Sequence, residues 1–306
     1  MIRKQLLTLW ALFLFASMAI AQDIKPITWK DIPTWKYMPG SAFEISPDGK
    51  WTVYGLVQLE GDGEIILQKV GDESSKKTFK IGSTSYPSMQ FSEDGKWFVY
   101  TEYPTFSEKK ANEKSKGKSL KNKAILVKLG TDEKKEFENV SNYAFNGKAS
   151  SVLAINLSKE GNGDARGSDL LIYHLNSQKA QNLGNVADFS FNKAGNYLAY
   201  TVDAANQSGN GLYLMNVAAN SMQILDSDKA SYRSLAWTEK GDAFAALKMV
   251  KDKKYKQDKG QVIGVKNLAS PQVTVYNPEK DSINFNQAYT ISQNRRPMWS
   301  DDLTRL

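Results

Sequence analysis

Apolar and polar positions alternate along this chain in short runs, and the runs come in pairs joined by one recurring turn. The clearest pair is Phe43-Glu44-Ile45-Ser46-Pro47-Asp48-Gly49-Lys50-Trp51-Thr52-Val53-Tyr54, and the next is Phe91-Ser92-Glu93-Asp94-Gly95-Lys96-Trp97-Phe98-Val99-Tyr100. Further copies are Phe191-Asn192-Lys193-Ala194-Gly195-Asn196-Tyr197-Leu198-Ala199-Tyr200 and Trp237-Thr238-Glu239-Lys240-Gly241-Asp242-Ala243-Phe244-Ala245. A degenerate one runs from Phe145 to Leu153, and a sixth, Met298 to Leu306, stops with the sequence. Period-2 alternation with aromatic and β-branched residues predicts strands. Ser-x-Asp-Gly predicts a tight turn, because a Ser or Asp side chain accepts a backbone N–H two residues on and Gly takes a positive φ without steric cost.

Each hairpin is followed by more strand-like runs, such as Ile65-Ile66-Leu67, Ala124-Ile125-Leu126-Val127, Leu170-Leu171-Ile172, Leu212-Tyr213-Leu214 and Val273-Thr274-Val275. Gly49 and Gly95 stand 46 residues apart, and the gap from Gly95 to Gly195 holds one further unit. A hairpin motif repeating near every fifty residues predicts an all-β fold: a β-propeller of four-stranded antiparallel blades, about six repeats visible, the last one truncated. A β-sandwich is the rival for evenly spaced short strands, and the shared turn at a near-constant period favours the propeller. No stretch carries a long 3.6-residue apolar period, so residues 22–306 read as one nearly all-β domain, an incomplete propeller.

Residues 1–21 read as a signal peptide. Arg3 and Lys4 are the charged start, Leu6 to Ile20 the apolar run, and Ala19-Ile20-Ala21 a small-residue cleavage site before Gln22. The apolar run is shorter than the roughly 20 residues of a spanning helix. An exported chain, periplasmic or secreted, with no stable membrane insertion is therefore expected. Zero cysteines exclude disulfides and thiol chemistry.

The formal net charge of +7 suggests a nucleic-acid partner until its distribution is traced. Arg3 and Lys4 carry two of those charges, and the run 108–123, with seven Lys and two Glu, carries the other five. That run has no interleaved aromatics or Arg, and it reads as a solvated, mobile Lys-rich loop inside the second repeat rather than a nucleic-acid surface. A smaller lysine-rich loop at 251–259 reads the same way.

The chemistry available is sparse. His174 is the single histidine and lies in a strand-like run, where it is a packing or surface residue. A Ser-His-Asp enzyme needs its His, and none exists besides His174; no Gly-x-Ser-x-Gly elbow, Walker loop or His-Glu-x-x-His motif is present. Loops 60–64 and 160–169 are rich in oxygen ligands, yet neither has EF-hand spacing and both fall where turns are expected. No catalytic, cofactor-binding or metal-binding residue is assigned, and no cofactor is expected.

The repeats Ser46-Pro47-Asp48-Gly49-Lys50-Trp51 and Ser92-Glu93-Asp94-Gly95-Lys96-Trp97 resemble those of two kinds of exported propeller. One is the TolB-like periplasmic binding propeller. The other is the amino-terminal propeller of the prolyl oligopeptidase family of serine peptidases. The leading segment from Trp29 to Lys36, the Gly61-Asp62-Gly63 hairpin and the lysine-rich insertion in the second repeat resemble the large exported members of Bacteroidetes type. In that family an α/β-hydrolase domain carrying Ser, Asp and His follows the propeller, and those positions have no counterpart in this sequence. The resemblance implies a gate: peptide substrates pass through the propeller tunnel to a hydrolase domain that is missing from the chain. A paired-glutamate motif used by some members is absent, so no site residue is transferred. The stand-alone TolB-like protein binder, and a propeller enzyme using convergent carboxylates, stay open as alternatives.

Overall fold

The computed structural model describes residues 26–115, 119–159, 163–254 and 257–306. The expected signal peptide lies outside the described residues. The predicted strands form, and they group into five consecutive four-stranded antiparallel units. Unit 1 is β1 (Phe43–Ile45), β2 (Trp51–Leu56), β3 (Gly63–Lys69) and β4 (Asp72–Gly82), paired in that order. Unit 2 is β5 (Met89–Phe91), β6 (Trp97–Glu102), β7 (Asn122–Lys128) and the first half of β8 (Lys134–Phe145). The second half of β8 opens unit 3, which continues with β9 (Val152–Leu157), β10 (Ser168–His174) and the first half of β11 (Ala180–Phe191). The rest of β11 opens unit 4, with β12 (Tyr197–Val202), β13 (Gly211–Asn216) and β14 (Ser221–Ser227). Unit 5 is β15 (Ser231–Trp237), β16 (Ala243–Val250), β17 (Lys259–Lys266) and β18 (Gln272–Tyr276).

The long strands β8 and β11 each serve two units. β8 pairs with β7 up to Val140 and with β9 from Val140 onward, and β11 changes partner from β10 to β12 at Val186. Irregularities in register fall at these changes, between Val140 and Asn142 and between Val186 and Asp188. A bulge bends a strand and raises its twist, which lets one strand leave one blade and enter the next.

Four apolar cores separate the five units, and the alternation along the inner strands feeds them. In β6, Phe98 and Tyr100 face unit 1, with Trp51, Val53, Ile65 and Leu67. Their neighbours Trp97 and Val99 face unit 3, with Leu153, Ile155 and Tyr173. β12 does the same, with Leu198 and Tyr200 toward unit 3 and Ala199 toward unit 5. Period-2 side-chain direction thus makes each middle blade apolar on both faces, the requirement for stacking blades face to face. Trp51 and Trp97 are buried at equivalent places, each under the cross-strand lysine of its unit, Lys69 or Lys128, at 5.5 and 5.6 Å from the ring centre. On the far side of unit 5 the segment 277–306 packs, with Trp299 pressed on Gly264 and Ile291 on Gly260. On the far side of unit 1, Phe43 and Ile45 are about half exposed.

The recurring turn holds each hairpin through its side chains. Asp48 Oδ1 accepts from Lys50 N at 3.2 Å and from Ser46 Oγ at 2.7 Å, while Ser46 Oγ accepts from Trp51 N at 2.9 Å. Ser92, Asp94 and Trp97 repeat this at 2.7, 3.1 and 3.0 Å. The aspartate therefore makes the expected local bond, and the serine reaches across to the start of the returning strand. Asp48 is held below the usual carboxylate range by these donors, Ser46 first. The sixth copy forms the same turn, with Arg305 N donating to Ser300 Oγ at 2.9 Å and Leu303 at φ 54° in the glycine place, and carries no strand.

Where the turn opens on Asn, a further bond ties one unit to the next. Asn146 Nδ2 donates to Gly195 O at 2.9 Å and Asn192 Nδ2 donates to Gly241 O at 3.0 Å. Both asparagines are buried. Asp94 N donates to Ser150 Oγ at 3.1 Å, so the turns of units 2 and 3 are also linked. The turns lie so close that a Cβ on Gly195 would collide with the Asn146 carbonyl, and one on Gly241 would lie 2.8 Å from Lys193 N. Gly49, in the first unit, has open space there.

One expectation is corrected. The lysine-rich run does not begin as a loop: α1 (Phe106–Ser115) is a helix, the one α-helix among the described residues. Its start is a capping box, in which Glu108 N donates to Thr105 Oγ1 at 3.2 Å and Thr105 N donates to Glu108 Oε2 at 2.7 Å. Capping and good helix formers suffice here without an apolar stripe, and no residue of α1 is buried.

The glycine places give a paired test. Gly49 and Gly195 both have positive φ, 71° and 80°. Gly49→Ala should therefore cost about 1–2 kcal/mol, the penalty of a left-handed conformation alone. Gly195→Ala must in addition push two units apart and should cost over about 3 kcal/mol in urea unfolding. Equal costs would show that the turns do not press on one another.

Candidate binding face

Antiparallel up-and-down order puts the loops between second and third strands at one end of every unit and the tight turns at the other. Among the described residues those connections are 57–62, 103–115 with 119–121, 158–159 with 163–167, 203–210, and 251–254 with 257–258. Every polar loop singled out in the sequence touches or lies in this set: the Gly-Asp-Gly hairpin, the lysine-rich run, the Gly/Asn/Asp stretch and the second lysine loop. One end of the molecule therefore carries the long charged loops and the other carries the stacked turns. His174 closes β10 at the tight-turn end, away from the long loops.

Neighbouring loops are tied across unit boundaries. Phe106 N, at the start of α1, donates to Asp62 Oδ1 of unit 1 at 2.7 Å. Lys121 Nζ donates to the Lys159 carbonyl of unit 3 at 3.3 Å. Arg166 of unit 3 pairs with Asp203 of unit 4 at 3.3 Å and donates from Nη2 to the Tyr232 carbonyl of unit 5 at 3.0 Å. Lys248 is buried and pairs with Asp226 and Asp228, both at 2.9 Å. Burial alone would lower the Lys248 ammonium, and the two carboxylates outweigh it and raise it.

The first strands of the units form a polar row. Gln90 Oε1 of β5 accepts from Phe145 N of β8 at 3.4 Å. Glu44 of β1 stands in the same place in unit 1, where the Phe91 N–H of β5 partly offsets its burial. Asp188 of β11 relates in the same way to Leu235 N of β15. Burial pushes the carboxyls of both Glu44 and Asp188 up, and the backbone N–H donors, with Arg166 and Arg296 near Asp188, offset only part of it. Tyr143 of β8 donates or accepts at Ser88 Oγ, 3.0 Å, and receives Thr101 Oγ1 at 3.3 Å. Burial pushes its phenol up to about 12. Half-buried acids and a neutral tyrosine can hydrogen-bond a ligand with little change of their own solvation.

Two cavities open among these loops. One of about 530 Å³ lies between Leu157, Lys159, Asp169, Asn185 and Ala205. The other, about 410 Å³, is bounded by Arg166, Asp203, Lys229, Arg233, Lys251 and Asp258. Both fall in the size range of small-ligand pockets. Of the two oxygen-rich loops, Asp62 serves the α1 N-terminus and Glu64 pairs with Lys36 at 2.9 Å. Asp169 takes Asn182 Nδ2 at 3.1 Å. Among the described residues, no group of three His, Cys, Asp or Glu side chains is placed to hold a metal ion. No helix among them is long and apolar enough to cross a membrane.

Sequence reasoning missed Glu44, Asp188, Tyr143, Arg166 and Arg233. The first three sit inside strands that read as core, and the arginines are single residues in unrelated segments. The signal for Glu44 was present, since it is the one charge between Phe43 and Ile45.

No protein-family model matches the chain, and no curated protein matches it. Solved structures do. The chain is similar to a putative TolB from Agrobacterium tumefaciens at 12% identity, covering 78% of this chain and 80% of that one, with a TM-score of 0.40. It is similar to the β-propeller domain of the Trilobed protease from Pyrococcus furiosus at 13% identity over 82% of this chain and 73% of that one, TM-score 0.45. It is also similar to the Pyrococcus horikoshii acylaminoacyl peptidase at 12% identity and TM-score 0.43, over 81% of this chain and 41% of that one. The chain spans less than half of the acylaminoacyl peptidase.

Glu44 yields a pH-dependent expectation. Its raised value means the folded state holds the proton more tightly than the unfolded chain, so its ionised form weakens the fold at pH 7. Unit 2 places neutral Gln90 at the same position. Glu44→Gln should raise Tm at pH 7, and the gain should fade as the pH drops to the ordinary glutamate value of 4.5. A loss of stability at pH 7, measured by thermal melts across that range, would reverse the assignment.

Proposed function

We propose that this chain is the substrate-gating and peptide-binding propeller of an exported serine peptidase of the prolyl oligopeptidase kind. The observation that carries the reading is the gathering of the long, charged loops at one end. A gate needs such a face: loops that can select a ligand, mounted on blades that do not move with them. The polar row of Glu44, Gln90 and Asp188 gives first-strand positions that can hydrogen-bond an extended peptide backbone. The repeat motifs and the lysine-rich second-repeat insertion, which resemble those of exported peptidases, supply the family part of the reading. The tripartite start of the sequence supplies export to the periplasm or beyond. The chemistry of peptide hydrolysis belongs to a hydrolase domain, and this chain contributes admission and positioning.

The role is tested on purified protein with unstructured peptides and folded proteins of similar charge. The chain should retain the peptides and pass the folded proteins on an affinity column. It should leave proline- and alanine-type chromogenic peptides uncut, with no labelling by a serine-directed fluorophosphonate. The natural gene product, isolated from its source, should take up that label. Turnover by the 306-residue chain itself, or failure to retain peptides, would overturn the gating role. Retention of folded envelope proteins instead would return the reading to a TolB-like binding propeller.

A further inference from the structure

The cavity of about 410 Å³ draws its walls from three consecutive units. Arg166 comes from the β9–β10 loop, Asp203 from the β12–β13 loop, Lys229 and Arg233 from the start of unit 5, and Lys251 and Asp258 from the β16–β17 loop. Asp164 lines it as well, so four cations meet three carboxylates in this wall, and the pairing among them is uneven. Arg166 is committed, through its pair with Asp203 and its bond to the Tyr232 carbonyl. Asp203 is equally committed, since it also takes the Arg166 backbone N–H at 3.3 Å and Asn210 Nδ2 at 3.4 Å. Arg233 is different. Its hydrogen-bond partners are neutral, Ser231 Oγ at 3.3 Å and Gln293 Oε1 at 2.7 Å. It is half-buried. Burial and then the nearby charge of Arg166 pull its guanidinium below the ordinary arginine value, and the weaker opposing pull of Asp258 and Asp203 does not offset them. Among the described residues no carboxylate lies within ion-pair distance of Arg233, Lys229 or Lys251.

A half-buried guanidinium that meets only neutral acceptors, beside a second guanidinium, is stabilised by any anion that enters between them. The planar fork of arginine matches a carboxylate with two parallel hydrogen bonds. The side-chain amides of Asn206 and Gln207 line the same cavity and suit the amide groups of a peptide. We propose that this cavity is a carboxylate subsite, in which Arg233 is the principal ligand, Lys229 and Lys251 add positive charge, and Arg166 is fixed as the second guanidinium by Asp203. The ligand is a peptide carrying a carboxylate, at its carboxy terminus or on an acidic side chain. The inference rests on the peptide-binding reading above and narrows it to one ligand class.

Isothermal titration of the full chain with three N-acetylated tripeptides decides it: Ala-Ala-Ala as the free acid, the same peptide as the amide, and Ala-Asp-Ala as the amide. The free acid or the Asp peptide should bind at least tenfold more tightly than the neutral amide, and which of the two does so identifies the source of the carboxylate. Arg233→Gln should erase that preference with little change in Tm. Arg233→Lys should restore part of it. If Arg233→Gln does not fold, the double variant Lys229→Gln with Lys251→Gln should shrink the preference several-fold. Equal binding of the charged and neutral peptides, or a preference that survives Arg233→Gln, would overturn the proposal. Inorganic phosphate competing as strongly as the acid peptide would make this a general anion site and overturn the carboxylate assignment. Peptide retention without a charge preference sinks this subsite and leaves the gating role standing. A charge preference in a chain that also retains folded proteins does the reverse.

Discussion

Everything in this fold hangs on how closely one unit's turn can approach the next. Gly195 and Gly241 each lie under the backbone of the preceding unit, with no room for a Cβ, and Asn146 and Asn192 bond directly to their carbonyls. Two demands meet at one residue: a positive φ to reverse the chain, and a bare Cα to admit a neighbouring backbone. Once the turns are locked at that spacing, the blades they begin stand face to face. Their apolar sides close into four cores without further instruction.

The same spacing sets the electrostatics of the first strands. Buried blade faces exclude water from the first strands, so the carboxyls of Glu44 and Asp188 are held up and Tyr143 stays neutral. Charges that must sit near a unit boundary are matched there, as Lys248 is by Asp226 and Asp228. Removing one partner of such a pair leaves an uncompensated buried charge, which is far more costly than never having had the pair. Arg233 departs from this rule, and it does so on the wall of a cavity.

Tight turns and long loops are therefore divided by end. Short turns with side-chain bonds at 2.7–3.2 Å resist change at one end. Loops of very different length and charge are tolerated at the other, because each is anchored by two strands already fixed in a blade. The capped helix α1 is the largest of these insertions. It adds positive charge to the long-loop end while burying none of its own residues.

The strands, their antiparallel order and the stacking of similar units are legible in the amino-acid sequence. Alternation, turn chemistry and period are all local properties, and each is written in consecutive residues. Trp51 and Trp97 could be placed in equivalent cores because each follows the same turn. The start of α1 was also legible, in Thr105 and Glu108 three residues apart, but an apolar period was the wrong signal for a helix that buries nothing. The tertiary structure alone decided the second role of the turn glycines, the unit-to-unit bonds of Asn146 and Asn192, and the cavity. Arg166 and Arg233 are 67 residues apart and belong to different units. Their nearness follows from the angle between blades, a quantity that no short window of sequence contains.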